Sequence, residues 1–255
     1  MSGKTPYSRD ETVSAIKSFY EFLTTLPGLL PSAIQDAPPN GWPEIDSNTL
    51  APLKKNEAVI DLLRHIPYID NNNSRGTVEI AYKTLALQFN RPAKKRPIDF
   101  SKLEGSYIPV GCELPEHVVA LTKGGEYGSW LLLDTQEGTV TDYIMMERPE
   151  RDYPPLDDPE NWRAYHTLPI VEFFELWKEK YRSLEWVVLP EKGHEDGVYI
   201  QPRKEIDEIR DIYRAHGWPS SFRFQECKDK LLKLEEKRRE EFLNQVRGQY
   251  YSPPE

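Results

Sequence analysis

Cysteine is scarce: the 255 residues hold two, Cys112 and Cys227. Two cysteines so far apart in the chain build no disulfide framework, so reduced thiols in the cytoplasm, or in the nucleus, are the expectation. Long apolar runs are missing as well. No stretch approaches the roughly 18 apolar residues a bilayer-spanning helix needs, and the first ten residues, MSGKTPYSRD, carry no apolar core of a secretory signal. Positive charge is in deficit. With 33 Lys and Arg against 42 Asp and Glu the net charge is −9, which argues against a nucleic-acid groove, since that needs a basic face. It also weighs against anionic membranes. The five histidines, His65, His117, His166, His194 and His216, form no His-x-x-x-His pair, and there is no Cys-x-x-Cys. The sequence therefore predicts neither a zinc site nor a cofactor. No internal repeat is present.

Proline, by contrast, is abundant, with 22 residues, and predicts long ordered loops between short elements. Hydrophobic content of 38% and charged content of 29% are polar but globular. The length suffices for a substantial core, as one large domain or two small ones.

The stretch 115–146 organises the chain. Val118 to Leu121, Trp130 to Leu133 and Val140 to Met145 are apolar runs too short for helices and bounded by turn residues, so they predict strands. Gly124, Gly125 and Gly128 frame one turn and Glu137-Gly138 the other, the pattern of an antiparallel meander. Three consecutive leucines, Leu131 to Leu133, predict a middle strand buried on both faces.

Helices are expected around it. Ser8 and Glu11 read as a capping box ahead of Val13, Ile16, Phe19, Tyr20 and Leu23. A second helix is expected from Asn56, with Val59, Ile60, Leu62 and Leu63 inside. Trp42 is expected to pin the proline-rich connector of 31–52 to the body. Thr77 to Phe89 predicts a strand, and Lys94-Lys95-Arg96 reads as a solvated basic loop. Ile170, Phe173, Phe174, Trp177 and Tyr181 recur at helical spacing and predict a helix across the sheet, with Pro169 in its first turn. Trp186 to Leu189 and Val198 to Ile200 read as short strands. Two helices close the chain, Lys204 to His216 and one from Ser221 that ends in a highly charged, solvated face.

The order of these elements resembles the SUKH superfamily, which includes fungal cell-wall assembly regulators and bacterial toxin-immunity proteins. Lys123-Gly124-Gly125 through Leu133, Gly138 to Tyr143, and Leu168 to Trp177 carry the resemblance, over residues 8–190. It implies an α+β protein-binding module without catalysis. The proline-rich insertions and the C-terminal helices depart from a minimal member.

The residues themselves offer little chemistry. Ser129 is not in a nucleophile elbow, because positions 127 and 131 are Tyr127 and Leu131 rather than glycine. The glycines of 124–128 have no Gly-Lys-Ser/Thr ending to hold phosphate. Asp134 and Asp142, followed by Asp152, Asp157, Asp158 and Glu160, could converge on a cation or do acid–base work, although their spacing fits no calcium loop. The remaining candidate is a recognition surface in which Tyr127, Trp130, Trp162 and Tyr165 act as aromatic anchors rimmed by Asp152, Asp157, Asp158 and Glu160.

The reading is thus an α+β fold with a central antiparallel sheet flanked by helices. Residues 1–202 form the SUKH-like part and 203–255 a helical C-terminal extension. The expected function is a non-catalytic intracellular protein-interaction module, scaffold or regulatory, with a protein partner and no nucleic acid or membrane. The alternative is a hydrolase using Asp134 and Asp142.

Overall fold

The computed structural model describes residues 7–70, 78–90, 113–150, 158, 160–190, 198–199 and 204–250. Lys94 to Arg96, Asp152, Asp157, His194 and Cys112 lie outside them.

Local signals set the helix starts. Helix α1 (Arg9–Thr24) begins where the Ser8 hydroxyl accepts the Glu11 N–H, and α2 (Glu57–His65) where Asn56 Oδ1 accepts the Val59 N–H at 3.1 Å. Each cap satisfies a donor that the first turn leaves open. Helix α3 (Ile170–Arg182) has Pro169 as its N-cap and buries the predicted stripe, with Lys178 added to it. Helices α4 (Lys204–Ala215) and α5 (Phe224–Tyr250) follow. Trp42 pins its connector as expected: its indole N–H donates to Ile66 O at 2.9 Å and its ring meets Tyr68.

The short strands β1 (Ile34–Gln35) and β2 (Tyr68–Ile69) pair with each other. Strands β3 (Glu79–Ala81) and β4 (Thr84–Ala86) form a hairpin in the stretch expected to hold one strand. The meander is built from β5 (Val118–Ala120), β7 (Trp130–Asp134) and β8 (Thr139–Tyr143), and β9 (His166–Pro169) extends it. The sheet order is β5-β7-β8-β9, antiparallel throughout. Strand β6 (Thr122–Lys123) continues from β5 but pairs with β4 instead. At this corner hydroxyls replace ladder bonds. Thr122 Oγ1 donates to Ser129 O and accepts the Leu131 N–H, while Thr84 Oγ1 accepts the Ser129 N–H. The backbone groups freed by the change of sheet are thereby satisfied. Strands β10 (Val187–Val188) and β11 (Val198–Tyr199) make a further pair.

Register fixes what each face of the main sheet carries, because side chains alternate along a strand. Leu131, Leu133, Val140, Asp142, His166 and Leu168 leave one face. Helices α1 and α3 cover it: Ile16, Tyr20, Leu131 and Phe174 line one small apolar cavity, and Phe19 packs on Phe174 and Trp177 at 5.5 and 5.7 Å. Trp130, Leu132, Asp134, Thr139, Thr141 and Tyr143 leave the other face. The 3-10 turn Asn161–Ala164 lies against that side, with the Tyr165 ring tilted against that of Tyr143 at 4.6 Å between ring centres.

The fold is therefore α+β, with a central antiparallel sheet and flanking helices. The last two helices are stitched to the body. Tyr213 of α4 donates to Val188 O at 2.8 Å, and Arg210 donates to Leu184 O at 2.8 Å. Cys227, Leu231 and Leu234 bury the first half of α5. Beyond Arg238, which pairs with Glu208, α5 turns Phe242 and Leu243 to solvent. No helix among the described residues is long and apolar enough to cross a membrane.

Candidate functional site

The β6–β7 turn owes its shape to its glycines. Gly125 adopts φ +58°, a left-handed conformation that disfavours a Cβ. Gly124 is held by contact instead: a Cβ there would lie 2.1 Å from Gly128 O. Gly128 in turn abuts Lys83 O, so the β3–β4 and β6–β7 tips pack backbone to backbone. Strand β8 ends at the same place, where the Met146 N–H donates to Glu126 O at 3.1 Å.

Three chain segments thus meet at one end of the molecule. Tyr127 is 52% and Met146 60% exposed there, and the Lys83 ammonium lies 5.5 Å from the ring centres of both Tyr127 and Tyr82. An exposed aromatic ring, a thioether and a cation over the rings are the chemistry of a protein-binding patch. Tyr127 was legible as a candidate. Tyr82, Lys83 and Met146 were not, because only the packing of the two tips brings them beside it. The one sequence signal was Met145-Met146, an apolar pair running past the end of its strand.

The other aromatic candidates are corrected by burial. Trp162 has no exposed surface, Trp130 is 3% and Tyr165 5% exposed. The Trp130 indole N–H donates to Gly125 O at 2.9 Å, which closes the glycine turn from beneath. Trp162 lies under the Arg163 guanidinium, 4.3 Å from its ring centre. These rings are core, and none of them offers a partner an anchor. Of the acidic rim, Asp152 and Asp157 are not described. Asp158 accepts the Glu160 N–H at 2.8 Å and shapes a turn, and Glu160 pairs with Arg163.

The two carboxylates of the hydrolase alternative do not converge. They are at opposite ends of the β7–β8 ladder, Asp134 paired with Thr139 and Asp142 with Leu131, and they leave opposite faces. Asp134 is wholly buried. Its Oδ1 accepts the Gln136 and Glu137 N–H groups, and its Oδ2 takes Arg163 at 2.9 Å. This is the bonding of a structural carboxylate that locks a hairpin turn to the 3-10 turn.

Asp142 is different. Burial, with help from Glu147, raises its carboxyl from 3.8 to about 6, against the lowering effects of a Ser129 hydrogen bond, Lys180 and His166. His65 and His216 make local bonds to helix carbonyls, whereas His166 Nδ1 meets Glu150 Oε1 at 2.9 Å. Among the described residues no group of three His, Cys, Asp or Glu side chains is placed to hold a metal ion. No family model matches the chain, nor does any curated protein or solved structure.

Proposed function

We propose that the chain is a non-catalytic protein-interaction module of SUKH-like type, scaffold or regulatory in role, working in the cytoplasm or the nucleus. Its recognition face is the end of the molecule where the β3–β4 tip, the β6–β7 tip and the end of β8 meet. One observation carries the reading: Tyr127 and Met146 are large, exposed and adjacent, yet rest on segments braced by Gly128 against Lys83 O and by the Met146–Glu126 bond. A rigid support lowers the ordering cost of binding, and aromatic anchors carry a large share of interface energy. The scarcity of cysteine and the acidic balance support the compartment and a protein partner rather than nucleic acid.

The test compares wild type with the double substitution Tyr127→Ser and Met146→Ser in co-purification from the native cell, with quantitative mass spectrometry. The expected result is a discrete set of proteins depleted at least about tenfold, the effect of losing about 1.4 kcal/mol of binding, with the thermal melt unchanged. Identical profiles from the two proteins would overturn the proposal.

A further inference from the structure

Strands β3 and β4 are joined by only two residues, Tyr82 and Lys83, since Ala81 and Thr84 already pair across the hairpin. Lys83 adopts φ +49° there. Glycine or asparagine ordinarily supplies a left-handed backbone in so short a turn, because a Cβ crowds the neighbouring carbonyl. A lysine at this position is strained, and the reason for it lies in its side chain.

The Lys83 ammonium lies 5.5 Å from two ring centres, that of Tyr82 on its own turn and that of Tyr127 on the β6–β7 turn. Attraction to the two rings holds the long stem in place, so a group that binds the ammonium has less of it left to order. Tyr82 and Lys83 are half-buried and Tyr127 is exposed. Whatever covers the Tyr127 ring therefore lies beside a cation. Charge balance points the same way. The segments that meet at this end carry Lys83 with exposed Lys123 and Arg148, against exposed Glu126 and Glu147. That balance is positive, in a chain whose net charge is −9. The chain as a whole attracts basic partners, whereas this end favours an acidic group, and such local complementarity fixes where and how a partner sits. The anchors are few, Tyr127 and Met146 beside Lys83. They suit a short segment rather than a domain face, which engages roughly 20–30 residues a side.

We propose that the Tyr127–Met146 end binds a short acidic segment of another protein, with an Asp or Glu on the Lys83 ammonium and a neighbouring apolar side chain over Tyr127 and Met146. The inference rests on the recognition reading of this end and adds the chemistry of the partner. Lys83 sets the specificity, because a segment with Lys or Arg at the same place meets like charge.

A display library of random linear peptides, panned on the full chain, tests this. Wild type should enrich peptides in which Asp or Glu adjoins an aromatic or aliphatic residue. A synthetic peptide of the enriched sequence should bind at least about tenfold more weakly to Lys83→Glu, and to the double substitution Tyr127→Ser and Met146→Ser. Panning on Lys83→Glu should enrich Lys or Arg in place of the acid. Lys83→Gly separates recognition from structure: with the backbone strain relieved, it should unfold at a higher denaturant concentration than wild type and still bind the peptide at least about tenfold more weakly. Peptides that need Tyr127 and Met146 but show no acidic preference, or that bind Lys83→Glu as well as wild type, overturn the acidic partner and leave the recognition reading standing. Enrichment of no peptide that depends on Tyr127 and Met146 overturns both. A lower unfolding midpoint for Lys83→Gly also overturns the inference, since the lysine is then kept to staple the two turns together.

Discussion

The buried Asp142 carboxyl couples stability to pH. Its folded carboxyl, raised to about 6 from 3.8, means that between those values the native state binds more protons than the unfolded chain. Stability attributable to this group is therefore greatest at low pH, falls as pH rises through that window, and levels off above it. The gap, at about 1.36 kcal/mol per pH unit, bounds the penalty at about 3 kcal/mol at neutral pH. Asp142→Asn should accordingly gain stability relative to wild type as urea unfolding is repeated from pH 4 to pH 7; a pH-independent difference would contradict the burial argument. The glycines of the β6–β7 turn separate two physical causes in the same way. Gly125→Ala meets open space but a left-handed backbone and should cost about 1–2 kcal/mol. Gly124→Ala drives a Cβ into Gly128 O and should cost more, because backbone on both sides of the turn must move. Denaturant midpoints that rank the two in the reverse order would contradict this account of the turn.

Elements show where sequence reasoning succeeds and where it stops. Helices α1, α2 and α3 were legible because capping residues and a 3–4 apolar rhythm act locally, and Ile170, Phe173, Phe174, Trp177 and Tyr181 are buried as that rhythm requires. Strand β9 was not legible. Its four residues run straight into α3 and have no alternation of their own; only pairing with β8 makes them a strand. The 3-10 turn Asn161–Ala164 misled for a different reason. It follows an acidic, proline-punctuated segment that looks like surface, yet Trp162 folds inward and Arg163 bonds the buried Asp134. Those facts set the expected costs. Trp162→Ala should destabilise by about 3–5 kcal/mol through the cavity it leaves, and Arg163→Ala by about 3 kcal/mol, since a buried carboxylate loses its counter-charge. A change under about 1 kcal/mol for Trp162→Ala in chemical denaturation would mean that the ring is not the anchor its burial implies.

At the scale of the whole molecule, the α+β class and the meander were legible, whereas the grouping of exposed residues at the Tyr127 end was not, because it arises only where sequence-distant turns converge. Tyr82 and Tyr127 are separated by the whole of β4, β5 and β6 but share the Lys83 ammonium. The C-terminal helix has a buried half and an exposed half. Leu231→Ala should cost about 2–5 kcal/mol, and Phe242→Ser, at a site 58% exposed, less than about 0.5 kcal/mol. Comparable losses of melting temperature from both would contradict this division of α5.

The central claim, that the Tyr127–Met146 end is where a protein partner sits, is tested most directly by a photo-crosslinking amino acid placed at Tyr127 and, in a separate variant, at Val171, an equally exposed position on α3. Irradiated in the native cell, the substitution at Tyr127 should give a discrete adduct with another protein, and the one at Val171 should not. Adducts of equal yield and identity from both positions, or none from Tyr127 while Val171 gives one, would contradict the account.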